Sequence, residues 1–281
     1  MSGDVLVGTD GSRAALAAAV WASEEARDRG ARAVVVCVFD PGWPTARATE
    51  RLRQEAESVV ERTRNRMSAF MPGVEVVGEE LAGSSPSKVL LERAASVSLV
   101  VLGRHGTSDL PGRWPGTVAD QVAAHAPVPV VLVPHEPVPT EARDVVVGVD
   151  GSSRSKHAAL TAVETAQGHG DRVRAVWAWT APESMVPRGS EAEQELKRWR
   201  RENLESALKP VLEEFPDVVV LREVRREHPV TALLADDRHT RMVVVGARGE
   251  HGFAELALGG VARGVLNRSD RPVMVVHGSR D

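Results

Sequence analysis

The stretch Asp4–Ser12 reads DVLVGTDGS, and it returns as DVVVGVDGS at Asp144–Ser152. Each copy is a short apolar run ended by Asp-Gly-Ser. That is the pattern of a buried strand that turns directly into a capped helix. Working outward, VVLGRHG at 100–106 recurs as VVVGARG at 243–249, and APVPVVLV at 126–133 has a partner in DRPVMVV at 270–276. Asp10 and Asp150 lie 140 positions apart, and Gly103 and Gly246 lie 143 apart. Order and spacing are kept with little change in length, which is the mark of an internal repeat. The sequence therefore predicts two similar domains, 1–138 and 142–281. The connector HEPVPTEARD, with Pro137 and Pro139, reads as a short stiff linker.

Within each half, strand and helix alternate. The first half predicts strands at 5–8, 34–39, 74–77, 99–102 and 130–133, and helices at 13–29, 50–70, 87–95 and 118–124. Ser12 is placed to cap the first helix and Gly30 to end it. The second half predicts strands at 145–148, 173–177, 218–224, 242–245 and 273–276, and helices at 155–166, 191–214, 230–237 and 261–267. Nearly all-apolar strands separated by helices give an α/β fold with a mostly parallel sheet and helices on both faces. Ligands in such sheets sit beyond the carboxyl ends of the strands, where the strand order reverses. That points to the loops after the first and fourth strand of each half.

Those loops have a distinctive composition. Gly103-Arg104-His105-Gly106 is followed by nine residues and then Gly116-Thr117. Gly246-Ala247-Arg248-Gly249 is followed by nine residues and then Gly259-Gly260. Glycines let backbone approach an anion closely, successive amides can form a concavity for phosphate, and a helix N-terminus follows each second pair. Thr117 adds a hydroxyl that the second half lacks. Two readings stand for each loop: a phosphate cradle, or ordinary glycine turns. Asp10 and Asp150 can accept a ribose hydroxyl or help hold a cation, or they can simply form Asx turns. Val38, with Val176 as its counterpart, offers backbone groups and an apolar wall to a purine base, or is plain sheet core. Arg104 and Arg248 can neutralise phosphate or sit on the loops without a ligand.

Composition narrows the function classes. A net charge of −4 argues against a nucleic-acid groove, and 4% aromatics without tyrosine argues against a base-stacking platform. Cys37, the single cysteine, permits no internal disulfide and reads as a buried, inert thiol within AVVVCVF. No apolar run approaches the ~20 residues needed to span a bilayer, and the first residues lack a signal-peptide pattern. The expected location is cytoplasmic, with no membrane partner. The sequence holds no P-loop motif, no G-x-G-x-x-G turn after a first strand, no G-x-S-x-G elbow and no spaced Cys/His zinc set. The Glu-rich stretch 191–195 reads as an exposed helix face rather than a catalytic carboxylate set.

Taken together, Asp10-Gly11-Ser12, Gly103-Arg104-His105-Gly106 and Gly116-Thr117 resemble the universal stress protein family. So do Asp150-Gly151-Ser152, Gly246-Ala247-Arg248-Gly249 and Gly259-Gly260. The resemblance covers nearly the whole chain and is to the tandem-domain type. It implies a five-stranded parallel sheet in each domain, ordered 3-2-1-4-5. Its ATP-binding branch carries G-x-x-G, nine residues, then G-[S/T], which the first half matches position by position. By resemblance, adenine lies near Val38, ribose near Asp10, and the phosphates of ATP, with Mg2+, on Gly103, Arg104, Gly106, Gly116 and Thr117. The second half departs at Gly260, so Asp150, Val176, Gly246, Gly249, Gly259 and Gly260 form a less complete set. The family also implies pairing through terminal strands, here 129–133 and 272–276, and hence a homodimer. The expected function is ATP binding in a stress or regulatory role. Two alternatives remain open: a nucleotide-independent interaction module with an unidentified protein partner, and a slow ATPase.

Overall fold

Beyond each Asp-Gly-Ser turn the chain enters a helix that is capped at both ends in the same way. In the first, α1 (Arg13–Arg29), Ser12 accepts a hydrogen bond from the Ala15 amide at 3.2 Å. Gly30 closes the helix in the left-handed region at φ +61°, and the Ala31 amide reaches back to the Ala26 carbonyl at 2.8 Å. In the second, α5 (Ser153–His169), Ser152 caps the Ser155 amide at 3.2 Å, Gly170 has φ +67°, and Asp171 donates to the Ala166 carbonyl at 2.9 Å. A serine side chain thus fixes the start of each helix and a left-handed glycine backbone its end.

The structure is a computed structural model that describes residues 3–104, 117–135, 142–235, 238–249 and 257–278. The chain divides into two compact units, Met1–Pro137 and Val138–Asp281. The first holds strands β1 (Val5–Gly8), β2 (Ala33–Phe39), β3 (Val76–Ala82), β4 (Leu99–Gly103) and β5 (Val130–Val133), with helices α1, α2 (Ala46–Phe70), α3 (Pro86–Ala94) and α4 (Thr117–His125). The second holds β6 (Asp144–Gly148), β7 (Arg172–Ala178), β8 (Val220–Arg225), β9 (Thr240–Gly246) and β10 (Val273–Val276), with α5, α6 (Glu191–Glu214), α7 (Pro229–Leu234) and α8 (Gly260–Arg268).

Every pairing within a unit is parallel, in the order β3-β2-β1-β4-β5 for the first and β8-β7-β6-β9-β10 for the second. This is the α/β class and the 3-2-1-4-5 order expected from the sequence. Helices α1 and α2 pack together against one face, α3 and α4 against the other, and α5 with α6 and α7 with α8 repeat that division. Strands covered on both faces must be apolar throughout. Accordingly Val5, Leu6, Val7, Leu99, Val100, Val101, Val130, Val131 and Leu132 are fully buried.

One strand departs from the sequence reading. The expected 74–77 is found at Val76–Ala82. Glu79 and Glu80 disguised it, since charge argues against a strand. Both sit on an edge strand with cationic neighbours: Arg93 grips Glu79 through two bonds of 2.9 Å, and Arg53 lies 4.0 Å from Glu80.

Among the described glycines of the first unit, the closest approach to main-chain atoms is at the end of β4. A β-carbon on Gly103 would stand 2.6 Å from the Ala14 carbonyl carbon and 2.7 Å from the Ala15 amide nitrogen, both main-chain atoms of α1. In the second unit the corresponding clearance, from Gly246 to the Arg154 carbonyl carbon of α5, is 3.6 Å, and the nearest atom is the Arg248 carbonyl oxygen at 3.2 Å. Gly103→Ala is expected to lower stability by about 1–3 kcal/mol through overpacking, and Gly246→Ala by less. Urea unfolding of the two variants measures this, and equal losses would contradict the stated geometry.

Candidate nucleotide site

The strand order reverses at β1, whose neighbours β2 and β4 continue past its end. The loop that leaves β1 is organised by its own side chains. Asp10 Oδ1 accepts the Ser12 amide at 2.9 Å, and Thr9 Oγ1 accepts the Gly11 amide at 3.2 Å. Thr9 is tied in turn to Thr63 of α2 at 3.4 Å, while the Thr63 hydroxyl donates to the Val59 carbonyl at 2.8 Å. Gly11 adopts φ +76°, a conformation that glycine accommodates without strain. The Asx turn is therefore made, and it holds an exposed Asp10 at the mouth of the crevice. In the second unit Asp150 Oδ1 accepts both the amide of Ser152 at 3.0 Å and its hydroxyl at 2.6 Å, and Gly151 has φ +88°.

Along a parallel strand, successive residues direct their backbone groups alternately to the two neighbours. Val36 pairs with Gly8, and its carbonyl accepts the Thr9 amide at 2.9 Å, so Val36 faces β1. The Phe39 carbonyl accepts the Gly83 amide at 2.9 Å, so Phe39 faces the β3 side. Val38, two residues after Val36, therefore turns its amide and carbonyl toward the β1 side at a point beyond the end of β1. In the second unit Gly148 pairs with Val176, whose carbonyl accepts the Val149 amide at 3.0 Å, and the Val176 side chain is buried. The register thus moves the counterpart of Val38 from Val176 to Ala178. Counting by the Asp-Gly-Ser repeat rather than by approximate strand ends would have found it.

Beyond β4, the Arg104 amide donates to the Val133 carbonyl at 2.9 Å and the Arg104 side chain is buried, not spread over the loop. Ala247 at the same place is also buried, and its amide donates to Val276 at 2.8 Å. The second position of each G-x-x-G motif thus points inward. Gly106, Gly116 and His105 lie outside the described residues, as does the side chain of Thr117, the first residue of α4.

The second unit shows how the two loops meet. A β-carbon on Gly249 would stand 2.7 Å from Asp150 Oδ2. The glycine loop and the Asp loop, separated by about a hundred positions in sequence, are therefore in contact. Gly259 donates to the Ala247 carbonyl at 2.7 Å, which closes the base of the loop. Gly260 opens α8 with no described atom within 4 Å of its β-carbon position, and no side chain caps that helix. Gly246, Gly249, Gly259, Gly260 and Asp150 are thus gathered at one end of β6 and β9. The arrangement offers helix amides to an anion beside a carboxylate.

Two further side chains bear on the sequence reading, one as expected and one not. Cys37 lies under the Asp10 loop, and burial, reinforced by the negative charges of Asp10 and Glu80, pushes its thiol up to about 11. The thiolate is suppressed at neutral pH, as expected of an inert thiol. Glu193, expected on an exposed face, is buried. Its Oε2 accepts the Gly189 amide at 2.7 Å, and Oε1 meets Arg226 at 3.1 Å and Lys197 at 3.3 Å. Arg226 also donates to the Val186 carbonyl at 2.5 Å and stacks over Trp179 at 5.2 Å, so the network ties the β7–α6 connector to β8. Nothing in the pattern of 191–195 marks Glu193 out; its partner, just beyond the end of β8, lies 33 positions later.

The family profile described as "Universal stress protein family" matches residues 1–134 and 141–277. The chain belongs to the universal stress protein family. It is 32% identical to the universal stress protein Rv1996 of Mycobacterium tuberculosis, over 99% of this chain and 96% of that one. A universal stress protein of Mycolicibacterium smegmatis is 29% identical over 97% of this chain and 96% of its own. Among solved structures, a universal stress protein from Archaeoglobus fulgidus shares the fold at 19% identity, with a TM-score of 0.74 and coverage of 100% and 98%. Like these tandem relatives, the chain carries the family unit twice. Among the described residues, no helix is long and apolar enough to cross a membrane.

The hydrogen bonds to Gly189 and Arg226 hold the Glu193 carboxyl down at about 2, below its usual value of about 4.3. A depressed carboxylate stabilises the fold above the unfolded value and loses that contribution as pH falls toward about 2. Glu193→Gln is therefore expected to unfold at lower denaturant than the parent at pH 6, with the gap closing between pH 4.5 and 2. A gap independent of pH would contradict the network.

Proposed function

We propose that this universal stress protein binds ATP, with Mg2+, in its first unit and acts as a nucleotide-responsive regulatory protein rather than an efficient enzyme. The observation that carries the reading is the convergence of the Asp loop and the glycine loop at a strand-order reversal, seen in the contact between Gly249 and Asp150. The first unit has the same motifs and adds Thr117, where the second has Gly260. In this assignment the Val38 edge holds the base and Asp10 accepts from the ribose. Gly103, Gly106, Gly116 and Thr117 border the phosphates, with the amides at the start of α4 as donors. Gly103 serves by letting β4 come up against α1, and Arg104 by supporting the loop from within. Bound Mg2+ would share the phosphate charge, with Asp10 as the carboxylate that the strand-order reversal brings to the crevice. Cytoplasmic location and homodimerisation belong to the same proposal and rest on family resemblance.

Calorimetric titration of nucleotide-free protein with MgATP tests the reading. Asp10→Ala removes a hydrogen bond of the charge-assisted kind, worth about 1.5–3 kcal/mol, and should weaken binding by roughly ten- to a hundredfold. Gly106→Leu should weaken it while leaving the thermal midpoint close to that of the parent. Unchanged affinity in both variants would refute the first-unit assignment. No binding by the parent would favour a nucleotide-independent docking role.

A further inference from the structure

The two units differ at one position that the glycine motifs do not reveal. Gly8 pairs with Val36 and Gly148 with Val176, so Cys37 and Trp177 are equivalent residues, each the first beyond the stretch paired with the central strand. Both lie beside the Asp loop of their unit. In the first unit the neighbour of the loop is a thiol, close enough to Asp10 for that carboxylate to act on its ionisation. In the second it is an indole. Trp177 Cη2 and Cζ3 lie 3.1 and 3.7 Å from the β-carbon position of Gly151.

The indole is held there from behind. Trp199 of α6 meets it edge-on, with ring centres 6.4 Å apart and planes at 79°. Arg200 lies over both Trp199, at 5.6 Å, and Trp179, at 4.4 Å. In the first unit no such wedge intervenes: Gly11 faces Val59 of α2 directly, at 3.4 Å. The carboxylates differ correspondingly. Asp10 is exposed, whereas Asp150 is half-buried, with Oδ1 engaged twice by Ser152 and Oδ2 against Gly249. At the end of β7, beside the Asp150 loop, there thus stands a large ring held by its edge contact with Trp199.

We infer that Trp177 closes the nucleoside half of the second unit, so that the residue at this one position, Cys37 or Trp177, sets the number of nucleotides bound per chain. The inference rests on the nucleotide reading above but has a different cause from the lost hydroxyl at Gly260, and the two are separable. If Gly260 alone limited the second unit, replacing Trp177 would change nothing.

The test is the stoichiometry of MgATP binding to the nucleotide-free full chain, by equilibrium dialysis at saturating nucleotide. The parent should bind one per chain, Trp177→Cys two, and Cys37→Trp none. Trp177→Leu keeps apolar packing against Trp199 without the second ring and replaces Trp177→Cys should that variant not fold. Two sites in the parent, or one site in a folded Trp177 variant, overturns the inference while leaving ATP binding intact. No binding by any of the proteins overturns the nucleotide reading and this inference with it.

Discussion

The end of β4 comes so close to the first turn of α1 that only a hydrogen fits where Gly103 would otherwise carry a side chain. That approach is a consequence of the parallel sheet. β1 feeds α1 on one face and α3 feeds β4 on the other, so the two strands diverge in connection while lying side by side. The crevice beyond them exists because of this reversal. In the second unit, where the glycine loop reaches the Asp loop, Gly249 meets Asp150. In the first, capping by Ser12 and the Asx turn at Asp10 hold the Asp loop still. The site is thus assembled by backbone proximity first and side-chain chemistry second.

The repeat preserves this frame while relaxing its details. Gly246 has room that Gly103 lacks, Ala178 stands for Val38, and Trp177 for Cys37. Aromatic and ionic groups accumulate in the second unit around Trp179, Arg200, Arg226 and Glu193, and they pin the connector between β7 and α6. Free energy spent on such a network rigidifies one end of a crevice. A site that must admit a ligand requires the opposite, an opening kept clear by small residues. The two units thus differ in the side chains beside the Asp loop, a thiol at Cys37 and an indole at Trp177, on an unchanged fold.

Much of this was readable from the chain itself. Apolar strands alternating with helices pointed to the parallel α/β class, and both caps of α1 fell where Ser12 and Gly30 placed them. What escaped was set by tertiary neighbours. The carboxylates of Glu79 and Glu80 hid β3 because their cationic partners come from α3 and α2. Glu193 looked like solvent-facing charge because Arg226 is distant in sequence. Arg104 looked like a phosphate ligand because an arginine beside a loop glycine gives no sign of which way it turns; the fold turns it inward. Val176 was matched to Val38 by approximate strand ends, which are less certain than strand cores; the pairing of Gly148 with Val176 moves the counterpart to Ala178.

The most direct test of the central claim is amide hydrogen exchange of the full chain with and without MgATP, read peptide by peptide. The account predicts added protection at residues 9–13, at 37–40 and from 103 to the first turn of α4, with little change in 149–153 and 176–180. Protection confined to the second unit, or spread evenly over both, would contradict it.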